Sequence, residues 1–183
     1  MLFSQDIGID LGTANTLVFV KGKGVVIREP SVVAINVSEK PARVVAVGNE
    51  AKQMIGRTPG SITAMRPLRD GVIADFDIAE TMLKRYMNRA FGNKIFRPRI
   101  MATLPPGLTE LQHHSLANAV ESAGGRNIMV IESPLAIAFA LDLDFSTPHG
   151  SLIVDIGAGT TDIAVISLGG IAVCDSFKTA SLD

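Results

Sequence analysis

Asp10-Leu11-Gly12-Thr13-Ala14-Asn15-Thr16 returns in altered form as Asp155-Ile156-Gly157-Ala158-Gly159-Thr160-Thr161, about 145 residues further along the chain. Each copy runs Asp, aliphatic, Gly, with a Thr six positions after the Asp. Aliphatic runs flank both, at 7–9 and 17–20 around the first and at 152–154 and 163–166 around the second, so each reads as the turn of a β-hairpin. A glycine-rich turn aims several backbone N–H groups at one point and lets an anion approach the main chain closely. The Asp ahead of it would repel a phosphate and suits Mg²⁺ or a water instead. One such turn is ordinary turn chemistry, because Gly and Thr are common there. Two in register predict an internally duplicated α/β chain that clamps a nucleoside triphosphate tail between its halves.

The composition narrows the classes. The chain has 183 residues, 47% of them hydrophobic, and a formal charge of -1; its mean hydropathy is +0.33. Near-neutral charge without a basic stripe gives no footprint for nucleic acid. The single cysteine, Cys174, excludes a disulfide within the chain and fits a reducing cytoplasm as a small buried hydrophobe. Met1-Leu2-Phe3 is too short for a signal core, and the charge-free run 163–174 is well under the roughly 18 residues that a spanning helix needs. The expectation is a cytoplasmic protein.

Working outward from the first turn, residues 6–37 read as a β-meander with strands at 6–10, 16–20, 25–28 and 31–37, and polarity then rises through an inserted subdomain near 38–66 with a strand at 42–47. A helix capped by Asp75 or Asp77 places Ala79, Met82, Leu83, Tyr86, Met87 and Ala90 at spacings of three and four, and Gly92 stops it. Its Met-rich stripe reads as core filler. A strand at 99–104 leads to a helix opened by a Thr109/Gln112 capping box and ended by Gly124. A strand at 127–131 feeds a helix capped by Ser133, with Pro134 in its first turn and its end near 142–144, where a hinge between halves would lie. Strands at 151–156, 160–167 and 171–178 restart the pattern. These are β-α-β-α units, so the sheet is mixed and flanked by helices. Residues 1–146 form a first domain and 147–183 begin a second that is incomplete. His113 and His114 are adjacent on a helix and diverge, and His149 lies in a turn, so none is read as a metal ligand.

Four stretches carry a family resemblance: Gly8-Ile9-Asp10-Leu11-Gly12-Thr13-Ala14-Asn15-Thr16-Leu17-Val18, Glu29-Pro30-Ser31-Val32-Val33-Ala34-Ile35, Arg69-Asp70-Gly71-Val72-Ile73-Ala74-Asp75, and Ala164-Val165-Ile166-Ser167-Leu168-Gly169-Gly170. The chain resembles the MreB family of bacterial actin homologues. The resemblance implies the actin-like ATPase fold: two ribonuclease-H-like domains, each a mixed sheet with flanking helices, around ATP and Mg²⁺. It also implies filaments of self-associated subunits at the inner face of the cell membrane, directing cell shape and cell-wall synthesis with partners such as RodZ. Carried over by position, Asp10, Gly12, Thr13, Ala14 and Asn15 match the first phosphate loop, with Asp10 on the Mg²⁺ side through water. Asp155, Gly157, Ala158, Gly159, Thr160 and Thr161 match the second, with Thr160 and Thr161 near the terminal phosphate and its attacking water.

Three positions depart from the family's pattern. Ser133 stands where the family carries the Glu that orients the lytic water, leaving Glu132 one residue off. Ala158 replaces a glycine at the middle of the second loop; if that position needs positive φ, alanine costs stability. Thr179-Ala180-Ser181-Leu182-Asp183 replaces Gly-Gly-Asp, and the adenine-contacting segments are absent. The chain is therefore expected to bind ATP and polymerise but hydrolyse slowly. A shortened, non-hydrolysing paralogue that modulates filaments is a second reading. A small-molecule kinase of the same superfamily is a third, although no substrate-binding acid beyond Asp155 offers itself. In Lys94-Ile95-Phe96-Arg97-Pro98-Arg99, cations flank two large apolar residues. The family resemblance makes Ile95 and Phe96 a membrane-inserting loop worth about 1.5–3 kcal/mol per side chain; the alternative is that they pack under the first domain.

Overall fold

The computed structural model describes residues 5–57, 60–91, 97–144 and 146–178. The first phosphate-type turn joins β1 (Asp6–Leu11) to β2 (Asn15–Val20), and β3 (Gly24–Pro30) completes an antiparallel run. On the other side of β1 lie β9 (Arg99–Leu104) and β10 (Arg126–Glu132), both parallel to it. The result is a five-stranded mixed sheet in the order β10-β9-β1-β2-β3. Alternation along β1 turns Ile7, Ile9 and Leu11 to one face, where all three are buried.

Two helices cover that face. In α2 (Phe76–Phe91) the six buried residues are Ala79, Met82, Leu83, Tyr86, Met87 and Ala90, the stripe that the spacing predicts. Asp75 opens it, its carboxylate accepting from the Ile78 N–H at 3.1 Å. In α3 (Glu110–Ser122) the Thr109/Gln112 capping box is present with both reciprocal bonds. Leu116 and Val120 join α2 and the strands in one core. The opposite face of the sheet is open, with Phe19, Met101 and Met129 exposed around Gly8.

The meander ends at β3. The next strand, β4 (Val33–Asn36), leaves the main sheet to pair with β5 (Arg43–Val47) and β6 (Ile62–Met65), so the small sheet draws in residues ahead of position 38. A short helix, α1 (Asn49–Met54), which the sequence pattern does not announce, packs on it through Ala51. Glu29 ties this unit to the main domain by pairing with Arg89 and accepting from the Asn49 N–H at 3.2 Å. Gly48, at φ 65, leaves no room for a side chain there: a Cβ would fall 1.9 Å from the Glu29 carboxylate. A two-stranded hairpin, β7 (Leu68–Arg69) and β8 (Val72–Ile73), precedes α2.

The second sheet holds β11 (Ser151–Ile156), β12 (Thr160–Ser167) and β13 (Gly170–Lys178), antiparallel in that order. Its inner face is covered by the preceding helix, α4 (Ser133–Ala140), through Ala138 against Ile153, Ala164 and Ile166. Leu152, Val154, Ile156, Val173 and Phe177 are exposed on the strands. Glu132 is the N-cap of α4 and makes no side-chain capping bond; Ser133 lies inside the first turn, one position later than a cap. The cap chemistry expected of Ser133 is absent because its hydroxyl donates instead to the Leu104 carbonyl, 3.0 Å away at the end of β9. Ile95 and Phe96, Gly92, the Met1-Leu2-Phe3 stub and the segment 179–183 lie outside the described residues.

Candidate functional site: a cleft between two hairpins

The three parallel strands β1, β9 and β10 end side by side, at Leu11, Leu104 and Glu132. The residues just past those ends, Gly12 to Asn15, Pro105 and Ser133, form one wall of a cleft of about 240 Å³. Its other wall is the β11–β12 turn, with Asp155, Gly157, Ala158, Gly159, Thr160 and Asp162. Ligands of open α/β sheets gather beyond the carboxyl ends of parallel strands, and here both glycine-rich turns meet at that place.

Contact distances explain the small residues. A Cβ on Gly159 would lie 2.3 Å from Thr13 Oγ1 and 2.8 Å from Thr13 Cβ, so the two turns touch. One on Gly12 would fall 2.8 Å from the Asn15 carbonyl oxygen. Neither of these glycines, nor Gly157, has positive φ, and Ala158 is also outside that region. The strain feared at Ala158 is therefore absent: the turns need glycine for close approach and not for left-handed backbone.

The first turn is braced from behind. Buried Ser31 donates to the Gly12 carbonyl at 2.7 Å and shares a 2.9 Å hydroxyl pair with buried Thr16, while its N–H donates to the Ala14 carbonyl at 2.9 Å. Thr13 Oγ1 accepts from the Gly71 N–H at 3.1 Å. Gly71 reaches this position through a turn in which Asp70 and Gly71 both have positive φ. Asp10, at the mouth, accepts from the Thr103 hydroxyl at 2.7 Å.

In the second turn Asp155 faces Asp162 directly across the β11–β12 ladder. Burial, followed by the charges of Asp162 and Asp10, pushes the Asp155 carboxyl above its usual range. The charges of Asp10 and Asp162 therefore both act on Asp155, and a cation in the cleft would relieve that repulsion. Among the described residues no group of three or more His, Cys, Asp or Glu converges as a metal cage. A hard divalent ion here would take most of its ligands from water and phosphate.

Two expected site residues lie elsewhere. Thr161 follows Thr160 and by strand alternation projects from the other face of β12, so it does not line the cleft. Glu132 does not line it either; its charge acts on Cys174, whose thiol is pushed up first by burial and then by Glu132. Sequence reasoning missed Ser31, Gly71, Thr103 and Asp162. Ser31 and Gly71 lie inside the stretches that carry the family resemblance, which is the signal the sequence offers for them.

A family model described as MreB/Mbl protein matches residues 4–182. The chain belongs to the MreB/Mbl family. It is 47% identical over 180 residues to the cell shape-determining protein Mbl of Bacillus subtilis (strain 168), covering 98% of this chain and 54% of that protein. It is also 47% identical over 181 residues to the cell shape-determining protein MreB of Escherichia coli (strain K12), covering 97% and 52%. Among solved structures it superposes on MreB5 of Spiroplasma citri bound to ADP with a TM-score of 0.86 at 39% identity, covering 97% of this chain and 53% of that one. The AMPPNP-bound MreB 5 gives a TM-score of 0.87 at 38% identity, covering 98% and 54%. A MamK double helical filament shares the fold, with a TM-score of 0.79 at 24% identity, covering 97% and 55%. The fold is therefore actin-like, and the MreB/Mbl chain spans about half the length of the relatives it matches.

Proposed function

We propose that this chain supplies the phosphate-binding half of an ATP-dependent, filament-forming cytoskeletal protein that directs cell shape and wall synthesis at the inner face of the membrane. One observation carries this reading: the two glycine turns face each other across the cleft, in contact at Thr13 and Gly159. ADP and AMPPNP in the Spiroplasma relatives support a nucleotide as ligand, and the MamK filament supports self-association in this fold. Backbone N–H groups of Gly12 to Asn15 and of Ala158 to Thr160 would bind the phosphate tail, while the Gly157 N–H closes its own turn on the Thr160 carbonyl at 2.8 Å. Asp10 and Asp155 would hold Mg²⁺ through water, and the ion would supply neutralisation of charge on the phosphates. The wall and shape partners, RodZ among them, and the division at residues 146/147 belong to the same proposal.

Hydrolysis is slow in this reading. Ser133 lines the cleft where the family resemblance places an acid, and its proton is already committed to the Leu104 carbonyl. A hydroxyl is also a poor base at neutral pH. The test is single-turnover ATP hydrolysis by the full-length gene product alongside its Ser133→Glu variant. The substitution should raise the rate; an equal rate in both removes the assignment. The membrane role of Ile95 and Phe96 is tested by liposome sedimentation of polymers, and undiminished binding by Phe96→Ser polymers removes it.

A further inference from the structure

Asp162 is 3% exposed, one of the few buried charged residues among the described positions. It also lines the cleft, between Thr160 and the body of the second sheet. Each of its carboxylate oxygens takes one hydroxyl donor. Ser176, opposite it on β13, donates to Oδ1 at 2.5 Å, and Thr160 donates to Oδ2 at 3.3 Å. A hydroxyl has one proton to give. Once the Thr160 proton is turned towards Asp162, only lone pairs remain to face the cleft. Donation to a charged acceptor leaves that oxygen more electron-rich and a better acceptor than a free hydroxyl. An acceptor aimed at the terminal phosphate would be repelled by it, whereas one aimed at a water beside the phosphate orients that water.

We propose that Asp162 is the positioning residue that fixes Thr160 as a hydrogen-bond acceptor for the attacking water, the task Ser133 is poorly equipped to do. The inference rests on the reading of the cleft as a nucleotide site. In the step it serves, the water oxygen bonds to the terminal phosphorus as the bond from that phosphorus to the bridging oxygen breaks. The electron pair leaves with the diphosphate, and the water proton passes to an oxygen of the released phosphate. Asp162 touches neither water nor phosphate; it acts through Thr160.

The test uses the full-length gene product and reads single-turnover ATP hydrolysis beside AMPPNP affinity. Asp162→Asn keeps the shape but can donate through its amide, which reverses the polarity of Thr160. Hydrolysis should fall about tenfold or more, with AMPPNP affinity changed by less than about threefold. Asp162→Glu should recover part of the rate. Thr160→Val should lose at least as much as Asp162→Asn, and the double variant should be no slower than Thr160→Val alone. Purely structural support would instead lower thermal stability and leave hydrolysis per bound nucleotide unchanged. An Asp162→Asn protein that binds AMPPNP and hydrolyses ATP at the wild-type rate overturns the proposal, as do additive losses in the double variant. Should Asp162→Asn not fold, a wild-type rate in Thr160→Val overturns it equally. Failure of the unmodified protein to bind AMPPNP removes the nucleotide reading itself, and this inference with it.

Discussion

The two glycine turns descend from one pattern but are stabilised by different chemistry. The first is held by neutral hydroxyls: buried Ser31 donates to the half-buried Gly12 carbonyl and pairs with the buried Thr16 hydroxyl. The second is held by a buried acid, Asp162, facing another acid across the ladder. At the equivalent place in the first turn, Asp10 faces Leu17. The first turn is built for rigidity and the second for charge. A duplicated turn can therefore keep its backbone shape in both copies while only the second carries a facing pair of acids.

The sharpest way to break this comparison is to add a methyl group where the turns touch. Gly159→Ala drives a Cβ into Thr13, and overpacking of this kind costs about 2 kcal/mol, or roughly thirtyfold in affinity. Titration with a fluorescent ATP analogue should show that loss; unchanged affinity would mean that the turns do not close on one another. Ser31→Ala comes next. It leaves the Gly12 carbonyl and Thr16 hydroxyl short of a partner in a buried place, at about 1–2 kcal/mol of stability, readable as a lower urea midpoint. A matching loss from removal of a second-turn hydroxyl would erase the distinction drawn here.

The acids of the two regions should respond to pH in opposite directions. The Arg89 guanidinium holds the Glu29 carboxyl below its usual range, with the Asn49 N–H assisting against burial. Its contribution to stability is complete above the unfolded value of about 4.5 and is lost as pH falls through the depressed folded value. Asp155 is raised, so its ionised form costs stability in the nucleotide-free protein, and that cost fades as pH falls through the raised folded value. At pH 7, Glu29→Gln should lower the melting temperature and Asp155→Asn should raise it while weakening Mg²⁺-nucleotide binding. Melting curves of both variants between pH 4 and 8 check the signs. The smallest effect is expected of Ala158→Gly. With no positive φ to accommodate, glycine brings only unfolded-state entropy, about 0.5 kcal/mol of destabilisation, and no gain in nucleotide affinity.

What was legible in the sequence was local. The six-residue stripe of α2, the capping box of α3 and both glycine turns are set by neighbours a few positions apart, and the structure bears them out. What escaped depends on distance along the chain. Ser31 braces Gly12 from 19 residues away, and Gly71 meets Thr13 from 58. Asp162 reads as one more polar residue on an alternating strand until β13 brings Ser176 beside it. Helix α1 was hidden because it opens on Gly48 without a capping side chain and buries a single small residue, so neither start signal nor stripe appears. Thr161 is off the cleft lining by period two, since adjacent strand residues face opposite ways.

Thr13 is where three separate turns converge: its own, the Asp70-Gly71 turn that donates to its hydroxyl, and the Gly159 turn that leaves it no clearance. A threonine so placed makes a mechanical joint with almost no play. One side chain thus joins both walls of the cleft to the hairpin that leads into the longest helix described.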